Sequence, residues 1–329
     1  MENSVGKDML TPARVCVKTC MKIKLGEKVL IVNENNDNIV DAFKEACEEV
    51  GAIVKVKNIK LEMDREEPPK DIANELMNSN VALLVTQHSL THTTAVMNAR
   101  KSGVRIASLP GITEEMFCRA VPVDYVKVHE LGKKVKGLLE KNESIRVRTD
   151  KGTDVKVGIK RRNFIIDSGI IDKHNLVNLP DGEVEVAPLE NKTNGKIVVD
   201  GCGSPVCETK FGKIGRIKQD IILSVENGRV INIEGGEQAR ILENLLRDMN
   251  DPGAYVISEF AVGINPKAEI TDKILESEKV LGTVHFALGE NRSMGGINKS
   301  KIHWDFVLKD PKIYSRDGEL LIDCSKLQV

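Results

Sequence analysis

Aromatic side chains are scarce in this sequence, where Phe, Trp and Tyr together make up 3% of the 329 residues. The core must therefore be built mainly from Val, Ile, Leu and Ala. An excess of one charge is also lacking, because 48 Lys and Arg residues face 49 Asp and Glu residues and leave a net charge of −1. This balance gives no sign of the excess positive charge that binding to nucleic acid or an anionic membrane would need, and neither is expected as a partner.

Long hydrophobic runs are absent as well. No stretch approaches the ~20 apolar residues of a membrane-spanning helix, and the segment from Met1 to Lys28 has no uninterrupted apolar region of the kind found in signal peptides. The seven cysteines form an odd set without the pattern of a small disulfide-rich scaffold, which favours reduced thiols. A cytoplasmic protein without a membrane anchor is expected.

Glycine-rich nucleotide motifs are absent too. The turn after the first predicted strand reads Asn33-Glu34-Asn35-Asn36-Asp37 rather than G-x-G-x-x-G, and no Walker A loop occurs. Binding of a nucleotide through the usual glycine loop is therefore disfavoured.

The first part of the chain alternates short apolar runs with helical segments. Strands are predicted at Lys28–Val32, Ala52–Val56, Val81–Val85 and Val104–Ala107, and helices lie between them. Strand–helix–strand order predicts parallel βαβ units. Residues 1–141 are thus expected to form a Rossmann-like, open, doubly wound α/β domain.

The pattern changes near residue 142, and the length of the chain supports a second domain. Turn signals flanked by alternating segments predict hairpins at Asp150–Thr153, Asn194-Gly195, Asn227-Gly228 and Asp317-Gly318. One clear helix, Glu237–Met249, interrupts them. Residues 142–329 are therefore predicted to form a β-rich α+β domain that carries the catalytic candidates.

One strand of this second domain, Lys301–Leu308, combines a histidine and a carboxylate. Because alternate residues of a strand share a face, His303 and Asp305 should project side by side, with Trp304 packed behind them. Imidazole and carboxylate together suit Zn²⁺, Co²⁺, Mn²⁺ or Fe²⁺. The alternative is a half-exposed strand whose outer face is polar by default.

Further residues of this domain extend the candidate site. His285 lies in an apolar strand, and Glu259 lies near the end of another, where a carboxylate is unusual unless it is paired or binds metal. Glu183 and Glu185 share a face of a third strand, and spacing does not decide which of them contributes. Two histidines and several carboxylates fit a two-metal site that activates water.

These motifs, in this order, resemble the aminopeptidase T family of metal-dependent exopeptidases. The matching segments are Asn178–Val184, Glu259–Pro266, Glu278-Lys279, His285–Gly289, Gly295-Gly296 and His303–Asp305. The resemblance covers most of the chain, since an N-terminal α/β half followed by a β-rich catalytic half is also the layout of that family.

The resemblance implies that two divalent ions are bound with a bridging glutamate. The candidate metals are Zn²⁺, Co²⁺ and Mg²⁺. The implied metal ligands are Glu183, Glu259, Glu278, His285, His303 and Asp305. Glu183 or Glu259 would assist attack by water, and a cytoplasmic homodimer would remove N-terminal residues from peptides. Arg292 stands seven residues after His285, where that family has a tyrosine, and it could stabilise an oxyanion.

Two other functions remain open on the sequence. His285, His303 and Asp305 would also form the two-histidine, one-carboxylate triad of a mononuclear Fe(II) oxygenase. Some relatives of the aminopeptidase family are similar to ring-opening dioxygenases of dihydroxypyridines, and Arg292 could bind an anionic substrate. The third hypothesis is a non-catalytic protein that binds a small molecule.

Overall fold

The structure of the protein is a computed structural model, which describes residues 8–171, 175–207 and 209–329. The chain forms two compact units, one of Met1–Val126 with Ser168–Asp181 and one of Lys127–Asp167 with Gly182–Val329. The predicted mixed α/β fold is confirmed. The finer assignment of domains to residues 1–141 and 142–329 stays a prediction.

The helices and strands are numbered in chain order. The α-helices are α1 (Leu10–Val15), α2 (Asp37–Glu49), α3 (Lys70–Met77), α4 (Thr94–Lys101), α5 (Glu114–Ala120), α6 (Tyr125–Leu139), α7 (Glu237–Met249) and α8 (Ile274–Ser277). The strands are β1 (Lys28–Asn33), β2 (Ile53–Asn58), β3 (Val81–Val85), β4 (Arg105–Ser108), β5 (Ser144–Arg148), β6 (Asp154–Gly158), β7 (Ile165–Asp167), β8 (Leu176–Asn178), β9 (Glu183–Val186), β10 (Thr193–Val199), β11 (Cys202–Gly203), β12 (Gly215–Arg216), β13 (Ile221–Glu226), β14 (Arg229–Glu234), β15 (Ile257–Gly263), β16 (Thr283–Gly289), β17 (His303–Lys309), β18 (Lys312–Ser315) and β19 (Leu320–Asp323). A π-helix follows α1 at Cys16–Cys20, and 3₁₀ turns occur at Pro252–Tyr255, Arg292–Met294 and Cys324–Lys326.

The first unit contains a parallel sheet with strand order β2-β1-β3-β4-β8. All five residues of β3 are buried, as expected for a parallel strand whose two faces are both covered. Thr93 and Thr113 cap α4 and α5, since each side chain accepts a hydrogen bond from a backbone N–H of the first turn. The edge strand β8 comes from far along the chain, and its pairing with β4 was not predicted.

The second unit contains two seven-stranded sheets. One has the order β14-β13-β10-β6-β5-β18-β19, and the other has the order β12-β11-β17-β16-β15-β9-β7. Pairing in both is antiparallel, so one face of each strand can be apolar while the other is polar. The second of these sheets, called the metal-side sheet below, carries the candidate site.

One of the predicted hairpin turns is wrong. Asn194-Gly195 lies inside β10, where Gly195 pairs with Val155 on one side and Val225 on the other. A Cβ on Gly195 would lie 2.2 Å from the carbonyl oxygen of Asp154, so glycine is required there by the close approach of β6. Turns at the other three positions lie between paired strands.

Helix α6 packs on the metal-side sheet through Gly132. A Cβ at this position would lie 2.5 Å from Cγ2 of Ile166 on β7 and 3.6 Å from Cγ2 of Val184 on β9. The glycine therefore lets the helix approach the strand whose other face carries Glu183.

Alanine at Gly132 is expected to lower the free energy of unfolding by about 1–3 kcal/mol, because it overpacks this contact. Gly137 lies one turn later in α6 and has no atom within 4 Å of a built Cβ. Gly137→Ala is therefore the matched control and should raise stability by up to about 1 kcal/mol through helix propensity. Urea unfolding of both variants measures the difference, and equal effects would contradict the packing role of Gly132.

Among the described residues, no helix is both long and apolar enough to span a membrane.

Candidate metal centre

Seven ionisable side chains lie on one face of the metal-side sheet. Strand register defines this face, because paired residues of neighbouring strands project to the same side. Glu259 pairs with Ala287, which pairs with Asp305. Glu185 pairs with Ala261, which pairs with His285. The full set is Asp167 on β7, Glu183 and Glu185 on β9, Glu259 on β15, His285 on β16, and His303 and Asp305 on β17.

Small residues separate these groups on the same face, and bulky apolar residues fill the other. Ala261, Gly263, Ala287 and Gly289 lie in register with the ionisable side chains. The opposite face carries residues such as Phe260, Phe286 and Phe306, all 0% exposed, and the first two rings have centroids 5.5 Å apart. The sheet is thus a rigid apolar support with a polar surface.

A β-bulge in β15 lies directly before Glu259. Ile257 lies opposite Leu288 and Glu259 lies opposite Ala287, so three residues of β15 oppose two of β16. In a regular strand, Ile257 and Glu259 would share a face because they are two residues apart. The bulge instead turns Ile257 to the apolar face, while Glu259 stays in phase with Ala261 on the polar face.

Glu259 lies between the two histidines. Its Oε1 is 3.1 Å from Nε2 of His285, and its Oε2 is 2.8 Å from Nε2 of His303. Nε2 of His303 also lies 3.4 Å from Oδ1 of Asp305, and Nε2 of His285 lies 3.4 Å from Oε2 of Glu183. Both imidazoles therefore present the same ring nitrogen to a common region lined by carboxylates.

Three groups of these side chains bring one ligand atom each to within 4.8 Å of one another. They are Glu183 with Glu259 and His285, Glu259 with His303 and Asp305, and Asp167 with Glu183 and Glu185. The first two groups share Glu259, and each contains an imidazole. Both could hold a divalent metal ion by the chemistry of their donors.

The other ring nitrogen of His303 has a partner that fixes the orientation of the ring. Nδ1 of His303 lies 2.8 Å from the backbone carbonyl oxygen of Glu290, to which it can only donate. Metal-binding histidines commonly make such a bond with the nitrogen that does not bind the ion. By contrast, Nδ1 of His285 is buried and has no hydrogen-bond partner among the described residues.

Mutual contacts shift the pKa values of the central groups. Burial alone would lower the pKa of His285, but the hydrogen bond to Glu259 and the charges of Glu183 and Asp305 raise it to about 9. Burial alone would also lower the pKa of His303, but Asp305 and Glu259 raise it well above the usual value. Burial would raise the pKa of Glu259, but its hydrogen bonds to both histidines hold it below the ordinary range. In the absence of metal, the site is thus an ionised carboxylate between two imidazolium groups at neutral pH.

The pKa values of two carboxylates at the edge of the cluster, Glu185 and Glu278, are raised. Burial, followed by the charges of Glu259, Asp167 and Glu183, raises the pKa of Glu185 well above its usual value. Burial also raises the pKa of Glu278 to about 8, although the nearby Lys279 ammonium opposes the shift. Glu278 lies at the end of α8 and is not in any of the three groups of candidate ligands.

Lys279 is a member of the cluster that the sequence did not reveal. Its side chain is 2% exposed, and its ammonium pairs with Oε1 of Glu183 and lies 2.9 Å from Oε1 of Glu278. A buried lysine is rare unless it is paired, so this cation offsets part of the negative charge of the cluster. Asp167 was also not predicted, because β7 is only three residues long.

Arg292, predicted as a catalytic residue, lies apart from these contacts. It begins the 3₁₀ turn after β16, its side chain is 55% exposed, and its Nε donates to Oε1 of Glu290 at 2.6 Å. Among the described residues, its recorded side-chain contacts are with Glu290 rather than with the two histidines or their carboxylates.

The chain matches known proteins along most of its length. The model of the NicX family, described as 2,5-dihydroxypyridine 5,6-dioxygenase, matches residues 10–329. A protein of Pseudomonas putida with the name 2,5-dihydroxypyridine 5,6-dioxygenase is 26% identical over 250 residues, which are 73% of this chain and 69% of that protein.

Two solved structures share the fold. The structure of 2,5-dihydroxypyridine dioxygenase from Pseudomonas putida has a TM-score of 0.80 and 20% sequence identity, and the match covers 98% of this chain and 97% of that one. Wild-type AmpT from Thermus thermophilus has a TM-score of 0.64 and 16% identity, with 95% of this chain and 96% of that chain covered.

These matches correct the resemblance to the aminopeptidase T family. AmpT shares the fold with this chain at low identity, and the family model and the curated relative both name a dioxygenase. The predicted function, a metallo-aminopeptidase and therefore a protease and hydrolase, is wrong. Several of the motifs that suggested it, including those with Glu259, His285 and His303, lie on the metal-side sheet, and a sheet of imidazoles and carboxylates does not by itself determine the reaction. Since the family model spans nearly the whole chain, the protein belongs to the NicX family, described as 2,5-dihydroxypyridine 5,6-dioxygenase.

Proposed function

We propose that this protein is an iron(II)-dependent dioxygenase that opens the ring of a dihydroxypyridine, with the metal held by His285, His303 and Asp305. The supporting observation is that Nε2 of both histidines faces the carboxylate of Glu259, and that Nε2 of His303 also lies 3.4 Å from Oδ1 of Asp305, in a chain of the NicX family. Two imidazoles and one carboxylate with open positions are the donor set of non-haem Fe(II) oxygenases.

The residues present fit such an ion. Imidazole nitrogens are good ligands for Fe(II), and His303 already has the carbonyl partner that keeps its Nε2 available for a metal. The three proposed ligands lie on two neighbouring strands, β16 and β17, of a sheet with a close-packed apolar back, so their positions depend little on loops. No cysteine belongs to any of the three groups, in keeping with an oxygenase rather than a thiolate metal site.

The carboxylates beside the triad have roles that follow from their charge. An iron(II) ion at this site would supply the redox chemistry that lets O₂ react with an aromatic ring. Glu259 lies within 3.1 Å of Nε2 of both histidines, so its carboxylate would lie beside the metal, where it could accept the proton that a substrate hydroxyl loses on binding. Ala261 and Ala287 lie between the ionisable groups on this face and carry only methyl side chains, so they add little bulk beside the triad. Lys279 and Glu183 remain paired at the cluster and keep the local charge from becoming strongly negative.

The identity of the metal and the reaction can be tested together. Protein purified without oxygen and loaded with Fe(II) should hold about one iron per chain, as three protein ligands with open positions require. Adding 2,5-dihydroxypyridine should consume one O₂ per substrate and abolish the absorbance of the aromatic ring. 3-Hydroxypyridine, which lacks the second hydroxyl, is the matched control and should give no uptake. Iron-loaded protein that consumes no O₂ with any dihydroxypyridine would contradict the proposal.

Two further expectations change with this proposal. The pair of Zn²⁺, Co²⁺ or Mg²⁺ ions was implied by the aminopeptidase resemblance, and one iron replaces it here. A small aromatic molecule replaces a peptide as the substrate. The homodimer and the cytoplasmic location stay predictions, and size-exclusion chromatography with light scattering would measure the first.

A further inference from the structure

The segment that connects β16 and β17, residues 290–302, determines the surroundings of His303. Its first residue, Glu290, supplies the carbonyl oxygen that accepts the Nδ1 proton of His303 at 2.8 Å. The side chain of His303 is 26% exposed, whereas that of His285 is 1% exposed. Packing therefore restrains His303 less than His285, and the hydrogen bond to Glu290 has more influence on its orientation.

Apolar packing holds this connection mainly at its end, where Ile302 is 7% exposed. Ile297 near its middle is 79% exposed. A cavity of about 480 Å³ lies against it, with Glu190, Ile297 and Asn298 in its lining. Because a segment with little buried apolar surface opens easily, its position must depend on polar contacts.

Those polar contacts converge on Glu190. Oε1 of Glu190 accepts a hydrogen bond from the backbone N–H of Ile297 at 2.7 Å and lies 3.4 Å from Nδ2 of Asn291. The other oxygen, Oε2, pairs with the guanidinium of Arg162, and that guanidinium also donates to the carbonyl of Gly295 at 2.7 Å. The side chains of Glu190 and Arg162 are 19% and 14% exposed, so the ion pair is partly shielded from water.

The network continues from Glu190 to the start of the connection. Oδ1 of Asn291 accepts from the backbone N–H of Asn298 at 2.9 Å, and Nδ2 of Asn298 donates to the carbonyl of Gly289 at 2.5 Å. These bonds tie Asn298, in the second half of the connection, to its start next to Glu290. We propose that Glu190 is a positioning residue for His303: it holds the β16–β17 connection so that the Glu290 carbonyl accepts the Nδ1 proton and Nε2 is left for the metal.

This inference rests on the metal centre of the proposed function, but not on the reaction or on iron. It is therefore tested with Co²⁺ and Zn²⁺. Glu190→Gln keeps the shape of the side chain and removes the charge that pairs with Arg162. The dissociation constant for Co²⁺ should rise about 10-fold, as for other residues that orient a metal ligand. Glu234→Gln, an exposed carboxylate on β14 of the same unit, is the matched control and should bind Co²⁺ as the wild type does.

A measurement on the ring itself separates positioning from a general structural effect. In Zn²⁺-loaded wild-type protein, ¹⁵N NMR should show a slowly exchanging proton on Nδ1 of His303, and Glu190→Gln should speed its exchange. Nδ1 of His285, which lacks a hydrogen-bond partner among the described residues, is the internal reference and should not change.

A second variant disturbs the same network without touching Glu190. A Cβ on Gly296 would lie 2.1 Å from the Asn291 side chain, so Gly296→Ala must displace Asn291. It should raise the Co²⁺ dissociation constant in the same way, and it provides the test if Glu190→Gln fails to fold.

Different failures are distinguishable. Wild-type affinity and slow Nδ1 exchange in the variants, or no protected Nδ1 proton on His303 in the wild type, would overturn the positioning role. Wild-type protein that binds neither Co²⁺ nor Zn²⁺ would instead overturn the proposed metal centre.

Discussion

Replacing His303 with alanine is expected to remove iron from the protein and to stop ring cleavage. The variant loses one of only two imidazole ligands, and the remaining groups are mostly carboxylates that prefer harder ions. Iron content should fall from about one per chain to less than about a tenth, and turnover should fall by more than about 100-fold. That loss should exceed the effect of residues that merely orient a ligand, which is about 10–100-fold. Elemental analysis and O₂ uptake measure the two effects.

The matched control for this variant is His129→Ala. His129 lies on α6 and belongs to none of the groups that could hold a metal. It should keep wild-type iron content and turnover. Full iron content in His303→Ala would remove His303 from the ligand set, and equal losses in both variants would point to a general loss of structure.

Metal binding is expected to strengthen steeply as the pH rises from 6 toward 9. In the metal-free protein, the pKa of His285 is raised to about 9 and that of His303 is raised well above its usual value, because both face Glu259. Each imidazole must lose its proton to bind a metal, so two protons should be released per ion at pH 7. Apparent affinity should then rise by about 100-fold per pH unit in this range and more slowly above it. Calorimetric titration with Co²⁺ in buffers of different ionisation enthalpy counts the protons.

The stability of the metal-free protein should fall as the pH rises, whereas the affinity for metal increases. The folded-state pKa of His285, about 9, lies above the unfolded value of about 6.5. Its contribution to stability is therefore complete below about pH 6.5 and is lost as the pH rises through 9.

Glu259→Gln removes the carboxylate that holds both imidazolium groups, so this variant should release fewer protons on binding Co²⁺. Release of no protons by the wild type at pH 7 would contradict the assigned charge state.

Much of the fold follows from local pattern. β3 was predicted with the bounds Val81–Val85, because five apolar residues stand between the polar Asn80 and Thr86. Helix α7 was likewise predicted at Glu237–Met249. Strand β8 was missed because three residues carry little periodic signal and its partner β4 lies far away in sequence. Asn194-Gly195 was misread because a glycine needed for close strand packing has the same sequence signature as a turn.

Some features of the candidate site could likewise be predicted from local sequence pattern, and others could not. Alternation correctly placed His303 and Asp305 on one face, since β17 is regular at that point. The burial of Lys279 could not be inferred, because a lysine after a short helix is exposed by default. The reaction could not be inferred from the motifs, since the fold that carries a set of ligands does not determine the reaction.

The bulge in β15 separates the ligand-bearing part of the strand from the residues before it. Glu259 is in phase with Ala261, and the register of both with β16 is regular. A residue gained or lost between Val256 and Glu259 would therefore change the face of the side chains before Glu259 and leave Glu259 with the histidines. When relatives of this chain are aligned, a gap at this point should be interpreted as a change in the apolar packing before the site, with the ligand set retained.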